Sequence, residues 1–463
     1  MRAYQLFEEA KVAEAQGDLL ACVQKMQASL LLNPNNPVGW DTRASSILKL
    51  GDPFYAVMNY DRAIALRPAM ADYYCNRGAA FADLGEYEKS FADYDRAIEL
   101  KSGFSLAYQN KANIQRVQKK LEFAVANYRQ AINSDKNNVD AHLGLAFSLL
   151  ELGQFEEGWK EYDWRWKSGQ LPPRGLTVPE WQGEPAESST DVLLFYAEQG
   201  FGDTLQFMRY APLIKQKWGG KVILEVRLPL LRLARTLKGI DGVVAFGEQL
   251  PINMKKCLPM MTAPKIMGTN LNTIPTNIPY LHPDHSRIRV WRERLKQLPP
   301  GIRIGICWAG GSRPFQPIAN AVDKRRSTTL DEFKPLCLPG VSFVSLQIGP
   351  NASQVQSPPA GMIIADWSEV IDDFSDSAAL MECLDLIITV DTSTVHLAGA
   401  IGRPVWMLSR FDNCWRWMGY REDSPWYPTL RQFTQPSQGD WSGLMQNVKR
   451  ELQRFCLAQR KVA

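Results

Sequence analysis

The sequence predicts an α + α/β multidomain chain: a helical solenoid followed by two lobes, each built on a parallel sheet. Three observations carry this. The first third of the chain repeats itself every 34 residues. After Ser188 the apolar pattern changes to short runs separated by helical stretches, which is how a parallel sheet with covering helices reads. After PGIR (residues 300–303) that alternation starts again, so two such lobes follow one another.

The repeat comes first in the chain. Segments beginning at Pro37, Ala71, Ser105 and Val139 each start 34 residues after the last. Their eighth positions hold Ala44, Gly78, Ala112 and Ala146. Their twenty-fourth hold Tyr60, Tyr94, Tyr128 and Tyr162, and their twenty-seventh Ala63, Ala97, Ala131 and Arg165. Small residues let the two helices of a pair approach, and the tyrosine fills the groove between them. Gly51, Gly85 and Gly153 close the turn inside a pair; Lys119 stands there in the fourth, which predicts a looser turn. A fainter first copy carries Ala10, Gly17, Met26, Ser29 and Pro34. The array resembles the tetratricopeptide-repeat (TPR) family over residues 1–168, with about five helical pairs. One pair cannot bury its own apolar face, so neighbours stack into a superhelix with a concave groove. The resemblance implies that this groove binds a protein or peptide. Arg165 at an alanine position leaves no seat for a sixth pair. Trp159, Trp164, Trp166 and Trp181 then predict a packed junction, with Pro172, Pro173 and Gly175 breaking the helix. Residues 169–190 read as this linker.

Composition excludes several classes. The 463 residues carry 53 basic and 49 acidic side chains with no dense basic stripe, so nucleic acid is not an expected partner. The eight cysteines are scattered singly, without CxxC pairs or histidines at metal-ligand spacing, as in a reducing compartment. No run approaches the roughly 18 apolar residues of a membrane span, and the N-terminus has no apolar signal core. A cytoplasmic protein is expected.

In the first lobe (191–298), DVLLFYA, KVILEV and GVVAF read as strands. In the second (299–463), RIGICWAG, VSFVSLQIG, DLIITV and PVWML do, and a last helix near 441–458 is expected to cross back onto the first lobe. Both lobes are Rossmann-like, a fold that binds ligands beyond the carboxyl ends of its strands. Two strand-end loops hold the chemistry. In Glu198-Gln199-Gly200-Phe201-Gly202-Asp203-Thr204, the glycines allow a tight turn. Asp203 then either caps the helix or serves as a general base, and spacing leaves both open. In Val390-Asp391-Thr392-Ser393-Thr394-Val395-His396, hydroxyl residues open a helix whose free N–H groups suit a diphosphate. His396 is either a phosphate donor or a packed ring. Trp415, Trp417, Tyr420, Trp426 and Tyr427 crowd one later loop, where packing between the lobes outweighs sugar stacking. The loop EQGFGD lacks the third glycine of a dinucleotide fingerprint, which counts against an NAD enzyme.

The runs AEQGFGDTLQFMRYAPL, ICWAGG and DLIITVDTSTVHLAGAIGRPVWML resemble the heptosyltransferase-like glycosyltransferases of GT-B fold, over about residues 175–435. The resemblance implies an inverting, metal-independent sugar transfer from a nucleotide-diphosphate sugar, with no cofactor. It makes Asp203 the base, next to Gly202. It puts the donor on Asp391, Thr392, Ser393, Thr394 and His396, with Arg326, for which Arg325 competes in this long loop, facing the leaving diphosphate and Trp308 lining the nucleotide pocket. The sequence departs from the family at Ser393, where glycine is usual, and at Lys255 and Lys256, where an acidic residue is common. The acceptor is expected to be a hydroxyl, of a protein recruited by the repeats. The competing expectation is a non-catalytic TPR scaffold with an inactive transferase-like domain.

Overall fold

The computed structural model describes residues 1–172, 174–311 and 317–460. Pro173 and part of the loop after Trp308 (312–316) lie outside these described residues. The described contacts divide the chain into two compact units, Met1–Leu149 and Leu150–Ala463.

The first unit is the helical array. Its pairs are α1 (Arg2–Ala15) with α2 (Leu19–Leu32), α3 (Pro37–Lys49) with α4 (Pro53–Leu66), α5 (Ala71–Asp83) with α6 (Tyr87–Leu100), and α7 (Ser105–Val117) with α8 (Leu121–Ser134). α9 (Val139–Glu151) follows. Asp18, Asn36 and Asp52 cap α2, α3 and α4 by accepting backbone N–H bonds. Tyr60, Tyr94 and Tyr128 are buried, as the period predicts. A Cβ on Gly78 would stand 2.8 Å from the Tyr94 ring, so the small residue is what seats the large one. The turn at Lys119 is not looser. Lys119 adopts φ 60°, as Gly85 adopts 76°. It also makes the same backbone bonds: Lys119 N–H to Arg116 C=O at 3.0 Å and Lys120 N–H to Gln115 C=O at 2.8 Å. The pairing geometry of the repeat imposes the left-handed turn whichever residue occupies it.

The second unit begins with α10 (Phe155–Tyr162) and a 3-10 turn, Asp163–Lys167. The second helix of the fifth pair therefore belongs with the α/β fold, although the period alone extends the array to 168. The first lobe holds β1 (Val192–Tyr196), β2 (Lys221–Val226), β3 (Gly242–Ala245) and β4 (Met254–Pro259), all parallel, in the order β3-β2-β1-β4. Its helices are α11 (Phe201–Phe207), α12 (Ala211–Trp218), α13 (Leu231–Ala234) and α14 (Ala263–Ile266), and α15 (His285–Leu295) leads out of it.

The second lobe holds β5 (Ile302–Cys307), β6 (Val341–Ser345), β7 (Ile364–Ala365), β8 (Leu386–Val390), β9 (Val405–Ser409) and β10 (Leu430–Thr434). All six are parallel, in the order β10-β9-β8-β5-β6-β7. Its helices are α16 (Pro317–Arg326), α17 (Phe374–Met381), α18 (Ser393–Ala400) and α19 (Trp441–Arg460). Between β5 and β6, Leu330–Leu336 forms a 3-10 segment containing Pro335. α19 does not cross to the first lobe. Its Leu444, Met445, Val448, Leu452 and Cys456 join Ile304, Phe333 and Phe343 in the second-lobe core. Among the described residues no helix is long and apolar enough to cross a membrane.

Candidate functional site at the facing strand ends

In the second sheet, chain order reverses between the central neighbours β5 and β8. The carboxyl ends of two such neighbouring strands are where sheets of this kind hold ligands. α18 opens there. Its N-cap, Thr392, accepts from Thr394 N at 3.3 Å through Oγ1, which also lies 3.4 Å from Thr389 Oγ1 and 3.9 Å from Cys307 Sγ. The Thr392 hydroxyl is thus turned inward. Asp391, Ser393 and Thr394 are half-buried at the opening.

Opposite, after β5, Gln347 fixes the turn. Its Oε1 accepts from Trp308 N at 3.2 Å and Ala309 N at 2.9 Å. Trp308 is fully buried and belongs to the second-lobe core. Arg326 ends α16 and donates from Nε and Nη2 to Asp323 Oδ1 at 3.0 and 2.8 Å. Its guanidinium rests over Gly310, where a Cβ would stand 2.7 Å from Nη2.

From the first lobe, β1 runs through Glu198–Gly200 into α11. Asp203 accepts from Gly200 N at 3.0 Å, capping that helix, and pairs with Arg416 Nη2 at 2.5 Å through its other oxygen. The capping role left open by the sequence is therefore filled, and the second oxygen reaches across to the other lobe. Arg416 also donates to Gln206 Oε1 at 3.0 Å and lies 4.3 Å over the Trp415 ring. Burial opposes its charge, yet Asp203 keeps the guanidinium firmly protonated.

The two loops meet at one contact. A Cβ on Gly202 would stand 2.7 Å from His396 Cδ2. Gly202 is thus required for close approach, and its φ is not in the left-handed range. His396 is buried, shares a hydrogen bond through Nδ1 with the Tyr427 hydroxyl at 3.1 Å, and stacks on Trp417 at 5.1 Å. Burial, then Arg416, Arg209 and Arg326, hold its pKa well below the ordinary histidine value, so the ring is neutral. Arg209 is itself buried, donating to the carbonyls of Gln206, Pro275 and Trp426 and to the Tyr280 hydroxyl. The lobes are tied again where Arg232 of α13 pairs with Asp373 and Asp376 at 2.7 and 3.0 Å.

Of the sequence-derived candidates, Gly202, Asp203, His396 and, through its charge, Arg326 converge. Thr392 faces the interior and Trp308 is removed to the core. Arg416, Arg209, Gln347 and Tyr427 were not singled out as charged or bonding partners. An arginine between two tryptophans, Trp415-Arg416-Trp417, was the available signal for a stacked, buried cation. Trp415, Trp417, Trp426 and Tyr427 are buried and only Tyr420 of that set is exposed, so this loop packs between the lobes.

Residues 71–104 match the tetratricopeptide repeat model, and residues 112–153 match a second TPR repeat model. The N-terminal region carries TPRs. Among curated proteins, Protein FlbA of Caulobacter vibrioides is 26% identical over 460 residues, spanning 94% of this chain and 70% of the relative. Among solved structures, MamA protein aligns at 17% identity over 36% of this chain and 91% of its own, with TM-score 0.32. A thermophilic TPR protein of Thermus thermophilus aligns at 18% over 36% and 92%, with TM-score 0.33.

Proposed function

We propose that the chain is a glycosyltransferase that moves a sugar from a nucleotide-diphosphate donor to an acceptor hydroxyl, with the TPR array recruiting a protein acceptor. The observation that supports this most is the contact of Gly202 with His396: it joins the two strand-end loops that carry the transferase resemblance, 194 residues apart in sequence. In this reading the donor diphosphate lies at the opening of α18. The helix N-terminus, Arg326 and a neutral His396 able to donate one N–H meet the charge that develops on the leaving group. The acceptor oxygen gives its proton to Asp203 and bonds to the anomeric carbon as the bond to the diphosphate breaks. Asp203 must exchange its bond with Arg416 for one with the acceptor, which makes Arg416 the residue that orients the carboxylate.

A second reading has one observation in its favour. Both Asp203 oxygens are engaged, by Gly200 N–H and by Arg416. A scaffold whose transferase-like domain has lost turnover would also hold them so. Purified protein is screened against nucleotide-sugars for a shift in melting temperature and for nucleotide release, beside Asp203→Asn and His396→Ala. Release by the wild type that Asp203→Asn abolishes supports the transferase. Absence of any shift or release across the donors establishes the scaffold.

A further inference from the structure

The loop that carries Asp203 is held from a side the transferase reading does not use. Arg165, in the 3-10 turn after α10, forms a two-pronged pair with Glu198, both bonds 3.1 Å, and both side chains are almost fully buried. Its Nη2 also donates to Thr262 Oγ1 at 2.8 Å, and Glu198 accepts from Met261 N at 2.8 Å. Glu198 leaves β1 and Met261 follows β4, and these strands are the neighbours between which chain order reverses in the first sheet. Arg165 thus sits at the carboxyl ends of β1 and β4, the place where such a sheet would hold a ligand. One residue further, Gln199 donates from Nε2 to the Tyr162 hydroxyl at 2.8 Å. Tyr162 ends α10, whose Trp159 packs edge-on against Trp415 at 5.2 Å and against Phe207 at 6.1 Å.

We infer that Tyr162 and Arg165 are positioning residues for the Asp203 loop, so that the segment closing the repeat array is part of the site. Glu198 and Gln199 are the anchored end of the loop; Gly200, Phe201 and Gly202 are the short link to Asp203. An arginine at position 165, where the earlier repeats carry alanine, has its use here: an alanine could not reach the carboxylate. The inference rests on the transferase reading for what the loop does, and on the contacts alone for what holds it.

The test uses the full-length chain with Tyr162→Phe, Arg165→Lys and Arg165→Met, read by hydrogen exchange and by release of nucleotide from a donor the wild type accepts. Amides of residues 199–207 should exchange about tenfold faster in Tyr162→Phe and Arg165→Met, with β5 and β8 unchanged. Turnover should fall roughly ten- to hundredfold, because a loop displaced by an ångström misaligns the base. The donor KM should stay within about twofold, since the donor side is untouched. Arg165→Lys should recover part of both. Unchanged exchange over 199–207 in Tyr162→Phe overturns the inference, and that variant decides even where Arg165→Met fails to fold. A rise in KM at constant turnover also overturns it. Faster exchange in a protein that releases nucleotide from no donor upholds the positioning role and sinks the transferase reading instead.

Discussion

A methyl group at residue 202 would meet the His396 ring at 2.7 Å, with Nε2 at 3.3 Å. The ring cannot retreat, because Trp417 lies behind it and Tyr427 holds Nδ1. Gly202→Ala should therefore destabilise the α/β unit by about 1–3 kcal/mol, as overpacking does, measured as an earlier denaturant midpoint by tryptophan fluorescence. His396 gives a second expectation, in pH. Its folded pKa lies below the ordinary value of about 6.5, so below that pH the unfolded chain takes up a proton that the folded ring refuses. Stability is complete above that value and is lost as pH falls from it toward the folded pKa. Between pH about 7.5 and about 5.5 the wild type should lose about 1.4 kcal/mol more than His396→Gln, by chemical denaturation at both pH values. At this scale Gly202, Asp203 and His396 were legible through the family resemblance of the two loops that carry them. The sequence hid Arg416, whose partner Asp203 lies 213 positions away. No local spacing encodes a pairing made by the docking of two lobes.

Elements divide along the same line. The helices of the repeat were legible because each position is stated several times at one period. The strands of the two sheets were legible where they are buried on both faces: β1, β6 and β8 are buried at every position, and only small hydroxyl residues (Ser342, Ser345, Thr389) interrupt their apolar side chains. β4 was not, because Met254-Lys255-Lys256 opens it with charges and only Cys257, Leu258 and Pro259 are fully buried. β10 was missed for a like reason: Arg431 and Gln432 interrupt it. The Lys119 turn shows an element overruling its own sequence. A lysine at positive φ costs about 1–2 kcal/mol, and glycine would relieve that at some cost in unfolded-chain entropy. Lys119→Gly should leave a net gain of about 0.5–1 kcal/mol, seen as slower hydrogen exchange in α7 and α8. An unchanged rate would mean that the lysine side chain contributes as much as its backbone loses.

At the scale of the whole molecule the question is where the α/β unit begins. The 34-residue period ends near 168, and a fragment cut there would look tidy on paper. It would lose Phe155, Trp159, Tyr162 and Arg165. Trp159 is buried among Trp415, Phe207 and Tyr162, and stripping such an aromatic costs about 3–5 kcal/mol. Removing Arg165 leaves Glu198 as a buried carboxylate without its cation, and burial already pushes that carboxyl upward against the pull of Arg165. Breaking such a pair from one side costs about 3–5 kcal/mol more. The two together rival the whole stability of a typical domain, about 5–15 kcal/mol. A fragment of residues 150–463 should therefore be soluble, with a cooperative melt and protected amides in β5 and β8. A fragment of residues 169–463 should aggregate or bind a hydrophobic dye. If the shorter fragment melts as the longer one does, α10 and the turn after it belong to the array after all, and the division of the chain follows the repeat period and not the packing.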